Sequence, residues 1–166
     1  MLRERRYRGA SRRVAKHHNV AKTRIAILNV GTLSDRPCKL AAALEHRRTD
    51  LCAAQETKWS ANKSKDIGNG LKVVYNGGPK VRDSVGIVVS ERLRNSIAEV
   101  QRLDDHLMKV LITTAEQIHF SAYSPQTGRC GRVKNDFWML LEGKTAEVYL
   151  EDAIVVAGDL NGHVGT

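Results

Sequence analysis

The chain has 166 residues, enough for one domain with a buried core. Apolar residues at 42% and charged residues at 27% exclude a wholly disordered chain, and no apolar run is long enough to span a membrane. The formal net charge is +9, yet residues 1–24 hold nine Lys/Arg against one acid, so the basicity belongs to the leader and the body is nearly neutral.

Residues 1–23 lack apolar periodicity and are expected to form a basic, disordered leader ahead of a domain over 24–166. Arg3, Arg5, Arg6, Arg8, Arg12, Arg13 and Lys16 are its candidate nucleic-acid contacts. A solvated leader and an Arg-rich transit peptide are the competing readings; Glu4 and the lack of an amphipathic face oppose the second. The first residues contain no apolar stretch of the kind a secretory signal needs. Cys38, Cys52 and Cys130 stand far apart without a C-x-x-C pair, which predicts no disulfide partner and a reducing compartment, with Cys52 inert in the core.

The body opens on RIAILNV, a compact apolar run suited to a buried strand. Asp35 and Pro37 then signal a helix, with Leu40, Ala43 and Leu44 on its apolar face. TDLCAAQE reads as a second strand, and TKWSANKSKDIGNG as a polar surface loop. GLKVVYNGG and SVGIVVSE follow as two strands joined by a turn-rich segment. Residues 97–103, 107–114 and 117–123 predict neighbouring antiparallel strands, 134–150 a helix, and AIVVAGD the last strand. Two helices, one near each end, with strands between them fit an α/β sandwich rather than a doubly wound nucleotide fold. No G-x-G-x-x-G or G-K-[ST] follows any strand.

Several strand ends carry polar residues, which is where a rigid scaffold best displays chemistry. They are Asn29, Gln55 with Glu56, Tyr123, and Asp159 with Asn161. Taken singly each has a structural explanation: Asn29 as a turn former, Glu56 as a solvated acid, Tyr123 as a core-edge aromatic, and GDLNG as a hairpin turn.

Taken in order, the series N-V, Q-E-T, Y-S-P, G-D-L-N resembles the endonuclease/exonuclease/phosphatase superfamily, whose members hydrolyse phosphodiesters with Mg²⁺. LNVGTL, DLCAAQETKW, VGIVVSERLRNSI and GDLNGHVG look most like the apurinic-type endonuclease domain of RTE-type non-LTR retrotransposons and host relatives of the craniofacial development protein 2-like kind. The resemblance runs from Arg24 to Thr166. It implies a four-layer α/β sandwich, two mainly antiparallel sheets flanked by helices, and DNA as the substrate. Mg²⁺, or Mn²⁺ in its place, would be held by Glu56, with Gln55 in support. Asn29 would help position the metal or the phosphate, Asp159 would orient or deprotonate water, Asn161 would hold a phosphate oxygen, and Tyr123 would donate to developing charge. DNA and the basic leader together point to the nucleus, and no membrane partner is expected.

Two departures qualify the resemblance. Gly31 stands where apurinic enzymes carry an acid, which related retrotransposon enzymes often lack too. The late Asp and the S-D-H motif have no counterpart before Thr166, so the sandwich is expected to be incomplete, with an exposed sheet edge, and hydrolysis impaired. His163 follows Asp159 on the wrong segment, and neither it nor His119 is read as the missing histidine. Non-catalytic binding through the leader and phosphatase-type chemistry remain alternatives.

Overall fold

A computed structural model describes residues 22–31, 36–59, 64–76, 84–112, 130–148 and 153–161, and the backbone of 117–123. The elements, in chain order, are β1 (Ile25–Asn29), α1 (Pro37–His46), β2 (Leu51–Gln55), β3 (Ser64–Gly68), β4 (Leu71–Asn76) and β5 (Val85–Val89). A one-turn helix α2 (Glu91–Arg94) leads to β6 (Ile97–Asp104), β7 (Leu107–Ile112), β8 (Gln117–Tyr123), α3 (Gly131–Ala146) and β9 (Ala153–Asp159).

Two sheets form: β1-β2-β5-β4-β3 and β6-β7-β8-β9. The pairs β1/β2 and β8/β9 are parallel, each bridged by one helix, because a parallel neighbour can be reached only by a crossover; every other pair is antiparallel. Three apolar clusters define four layers. Ala41 and Leu44 of α1 pack on Cys52, Ala54, Val73 and Val88 of the first sheet. Leu51, Val74, Val85, Ile87 and Val89 face Met108, Val110 and Ile112 across the gap between sheets. Phe137 and Leu141 of α3 cover Leu107. Alternation along β2 and β5 thus feeds two cores at once, and each wholly buried Leu or Val stabilises the sandwich by about 1.5–3 kcal/mol. The expected four-layer sandwich is the observed one.

Several local expectations change. SKDIG is a strand rather than loop: only Ile67 of β3 is buried, and edge pairing to β4 supplies its order. On α1 the buried face is Ala41 and Leu44, with Leu40 packed beside it, while Ala43 is exposed. The last helix, expected over 134–150, begins at Gly131 and ends at Ala146, with Phe137 and Leu141 facing inward; residues 149–150 lie outside the described residues, as do the leader contacts and Asp35. Among the described residues, no helix is long and apolar enough to cross a membrane.

The two flanks of the sandwich differ. The edges β3 and β6 carry charges, Lys65 and Asp66 on one and Glu99 and Arg102 on the other, and both have register shifts. Such devices discourage edge pairing. The edges β1 and β9, which lie against each other, pair without a shift. β1 is therefore not the buried strand that its composition predicts. Ile27 is 53% exposed, and Ile25, Ile154 and Val156 are also exposed.

Candidate active site

Strand register gathers the polar strand ends. Asn29 pairs with Gln55, Gln55 with Val85, and Val85 with Asn76, so three carboxamides and one valine form a row across four strands. Val85 packs in the inter-sheet core, which identifies the face. On the second sheet Tyr123 is the register partner of Asp159. A side-chain bridge shows that these ends coincide. Asn76 Nδ2 donates to the carbonyl of Asp104, at the end of β6 and just before β7. Leu107 at the start of β7 pairs with Ala122, and Ala122 with Gly158, one position short of Tyr123 and Asp159. Because β1 and β2 stack on β9 and β8, Asn29, Gln55, Tyr123 and Asp159 occupy one end of the sandwich.

Two strand ends use the same turn. Asn29 Oδ1 accepts the N–H of Gly31 at 3.0 Å, and Asp159 Oδ1 accepts the N–H of Asn161 at 3.0 Å. In each, a side-chain oxygen captures the backbone two residues on, and the captured residue is left-handed: Gly31 at φ 64°, Asn161 at φ 42°. Glycine and asparagine are the residues that reach this region most cheaply. Each turn also fixes the χ angles of its own acceptor. With Oδ1 committed, Asn29 Nδ2 is turned onto Glu56 Oε1 at 2.9 Å. Gly31, where an acid is expected in apurinic enzymes, belongs to this turn.

Glu56 itself is left-handed at φ 57°, and so is Lys58 at φ 55°. A non-glycine residue there costs on the order of 1–2 kcal/mol, and such strain persists only where the surroundings over-determine it. Gln55 is wholly buried, and neither its Nε2 nor its Oε1 has a hydrogen-bond partner among the described residues. A buried amide of this kind ordinarily has a hydrogen-bond partner, since leaving one unmade costs about 1–3 kcal/mol.

Asn29, Gln55, Glu56, Asp159 and Asn161 are thus all described with side chains, and Tyr123 with its backbone. Asn29 touches Glu56; Asp159 touches the backbone of Asn161. Asn76, whose carboxamide links the sheets, is a residue that sequence reasoning passes over. Its signal is an Asn closing an otherwise apolar strand, LKVVYN. Among the described residues, no group of three or more His, Cys, Asp and Glu side chains is arranged to hold a metal.

No family model and no curated protein matches the chain. Solved structures match with probability 1.00. An AP endonuclease from Archaeoglobus fulgidus aligns at TM-score 0.65 and 22% identity, over 84% of this chain and 58% of that one. The catalytic domain of Xenopus laevis APE2 aligns at TM-score 0.63 and 13% identity, over 83% and 58%. The endonuclease domain of TRAS1, a telomere-specific non-LTR retrotransposon, aligns at TM-score 0.60 and 13% identity, over 86% and 62%. An endonuclease/exonuclease/phosphatase family protein from Leptotrichia buccalis shares the fold at TM-score 0.55. The chain therefore has the fold of this superfamily, and it spans less than two thirds of the length of the first three structures.

Proposed function

We propose that the polar end of the sandwich hydrolyses phosphodiester bonds of DNA with Mg²⁺. The observation that carries the reading is the convergence of four strand ends, from two sheets, on one end of the molecule. The fold-mates named for endonuclease activity support DNA as the substrate.

The donor set suits Mg²⁺. Glu56 offers a carboxylate, a hard oxygen donor, which the Asn29 Nδ2 orients while the Asn29 Oδ1 stays on the Gly31 N–H, and this ion keeps several of its waters. The orphaned amide of Gln55 offers a donor and an acceptor next to it, a place for one such water. When bound, Mg²⁺ would neutralise charge on the attacked phosphate and on the departing oxygen.

The chain's own residues would do the rest. Asn29 holds Glu56 in one rotamer through its Nδ2. Asp159 keeps one carboxylate oxygen on the Asn161 N–H and turns the other to the attacking water, orienting it and taking its proton. Asn161 donates its carboxamide N–H to a phosphate oxygen, and the Tyr123 hydroxyl donates to the charge that develops there.

The test is a nicking assay of the purified chain on supercoiled plasmid and on a duplex with one abasic site, with Mg²⁺ or EDTA, beside Asp159→Ala. Weak nicking that needs both Mg²⁺ and Asp159 is the expected result. A folded chain that nicks neither substrate overturns the proposal. Release of phosphate from inositol phosphates without nicking would assign the site to phosphatase chemistry instead.

A further inference from the structure

The turn that carries Glu56 is held from another strand. Thr57, between the two left-handed residues, is wholly buried, and so in effect is Ser84, immediately before β5. The two hydroxyls meet at 2.7 Å. Ser84 Oγ also accepts the N–H of Lys58 at 2.7 Å, and the Ser84 carbonyl accepts the N–H of Thr57 at 3.4 Å. Two residues on, Gly86 makes room for the threonine. A Cβ there would stand 3.2 Å from Thr57 Cγ2, 3.2 Å from the Val74 carbonyl oxygen and 3.4 Å from Val73 Cγ1.

We infer that Ser84 is a positioning residue for Glu56, acting through Thr57 and the Lys58 N–H. A left-handed residue on each side of Thr57 is a conformation the chain leaves readily unless something holds it. The three hydrogen bonds to Ser84 hold it; the hydroxyl pair among them is buried, where an unmade hydrogen bond is most costly, and the Lys58 bond is half-buried. Without them the turn can relax to ordinary backbone angles, which swings Glu56 away from Asn29 Nδ2. Ser84, 27 residues along the chain from Thr57, thereby controls whether the carboxylate faces the site. The functional consequence rests on Glu56 being the residue that holds the ion.

The experiment compares Ser84→Ala and Thr57→Val, which remove one hydroxyl each, with Thr57→Ser, which restores it, and with Ser90→Ala, a serine at the opposite end of β5. The first readout needs no metal: the side-chain amide resonances of Asn29 in ¹⁵N NMR. In Ser84→Ala and Thr57→Val they should move toward their positions in Glu56→Ala, and in Thr57→Ser and Ser90→Ala they should stay. The second readout is Mn²⁺ binding followed by electron paramagnetic resonance. The same two variants should weaken it about 10-fold, the usual scale for residues supporting a metal ligand, with Thr57→Ser near wild type. Should Ser84→Ala fail to fold, Thr57→Val decides, since it leaves both backbone N–H bonds to Ser84 in place. Unmoved Asn29 resonances in Thr57→Val overturn the inference. Wild-type Mn²⁺ binding that is indifferent to Glu56→Ala overturns the metal reading instead, and the Asn29 resonances then judge the turn alone.

Discussion

Asn29 and Glu56 lie 27 residues apart in sequence and 2.9 Å apart in space, joined by an amide that donates to a carboxylate. The pair exists because β1 and β2 are parallel and in register, so both strands end at the same level. Asn29→Leu should release Glu56 and the Gly31 N–H together. If the hydrolytic reading is right, the variant will need more Mg²⁺ for half-maximal nicking, by about 10-fold or more. A Mg²⁺ titration of nicking by the wild type and the variant checks it; an unchanged midpoint removes Asn29 from the metal site.

Asp50 ties three elements together away from that end. Its Oδ2 accepts the Arg24 N–H at 2.8 Å, and Arg92 of α2 reaches both oxygens, Nε to Oδ1 at 3.0 Å and Nη2 to Oδ2 at 2.9 Å. The arginine side chain is 44% exposed against 14% for Asp50, and the Arg24 hydrogen bond also lies at the surface, so solvent screens part of the gain. Asp50→Ala should cost about 1–2 kcal/mol, roughly 3–8 °C in Tm for a chain of this size, read by thermal melting. The site should be intact below the melt, since Asp50 precedes β2 and Glu56 follows it.

Burial pushes the Cys52 thiol up from 9.0 to about 12, because the core disfavours the thiolate. The folded chain thus keeps this proton at pH values where the unfolded chain has lost it. Its contribution to stability is full below about pH 9 and is lost as the pH climbs toward 12. At pH 8, Cys38 and Cys130, both exposed, should alkylate quickly, with Cys52 reacting only on unfolding. Iodoacetamide labelling followed by mass spectrometry distinguishes two fast sites from three.

Residues 1–24 carry eight net positive charges. If they bind DNA, removing residues 1–23 should weaken affinity for a non-specific duplex and flatten the slope of log K against log salt, by about 0.9 for each phosphate no longer neutralised. A slope untouched by the deletion would place the binding surface on the body.

Much of the architecture is legible in the sequence because the strands and helices are amphipathic or apolar enough to declare themselves. β3 escapes because SKDIG buries one side chain and owes its order to pairing with β4. α2 escapes because four residues are too few to show a period. IAILN reads as buried because composition reports a strand's apolarity and is silent on which neighbours flank it; β1 proves to be an edge. The polar strand ends are legible as an ordered series. What joins them is not: the Asn76 bridge and the Thr57–Ser84 hydrogen bond each link residues 27 or 28 positions apart, and only the register of folded strands brings such pairs together.

The bridge between sheets has a consequence for motion. Asn76 reaches the Asp104 carbonyl, and Arg102 Nε reaches the Tyr75 carbonyl at 3.0 Å; together with the apolar layer between them, these couple two otherwise separate platforms. Asn29, Gln55 and Glu56 ride on one platform, Tyr123, Asp159 and Asn161 on the other. A small sliding of one sheet over the other would separate the two sets without breaking a single ladder hydrogen bond. Heating should therefore disperse the site before it melts the strands, so that any activity fades at temperatures where the far-ultraviolet circular dichroism is still that of the native fold.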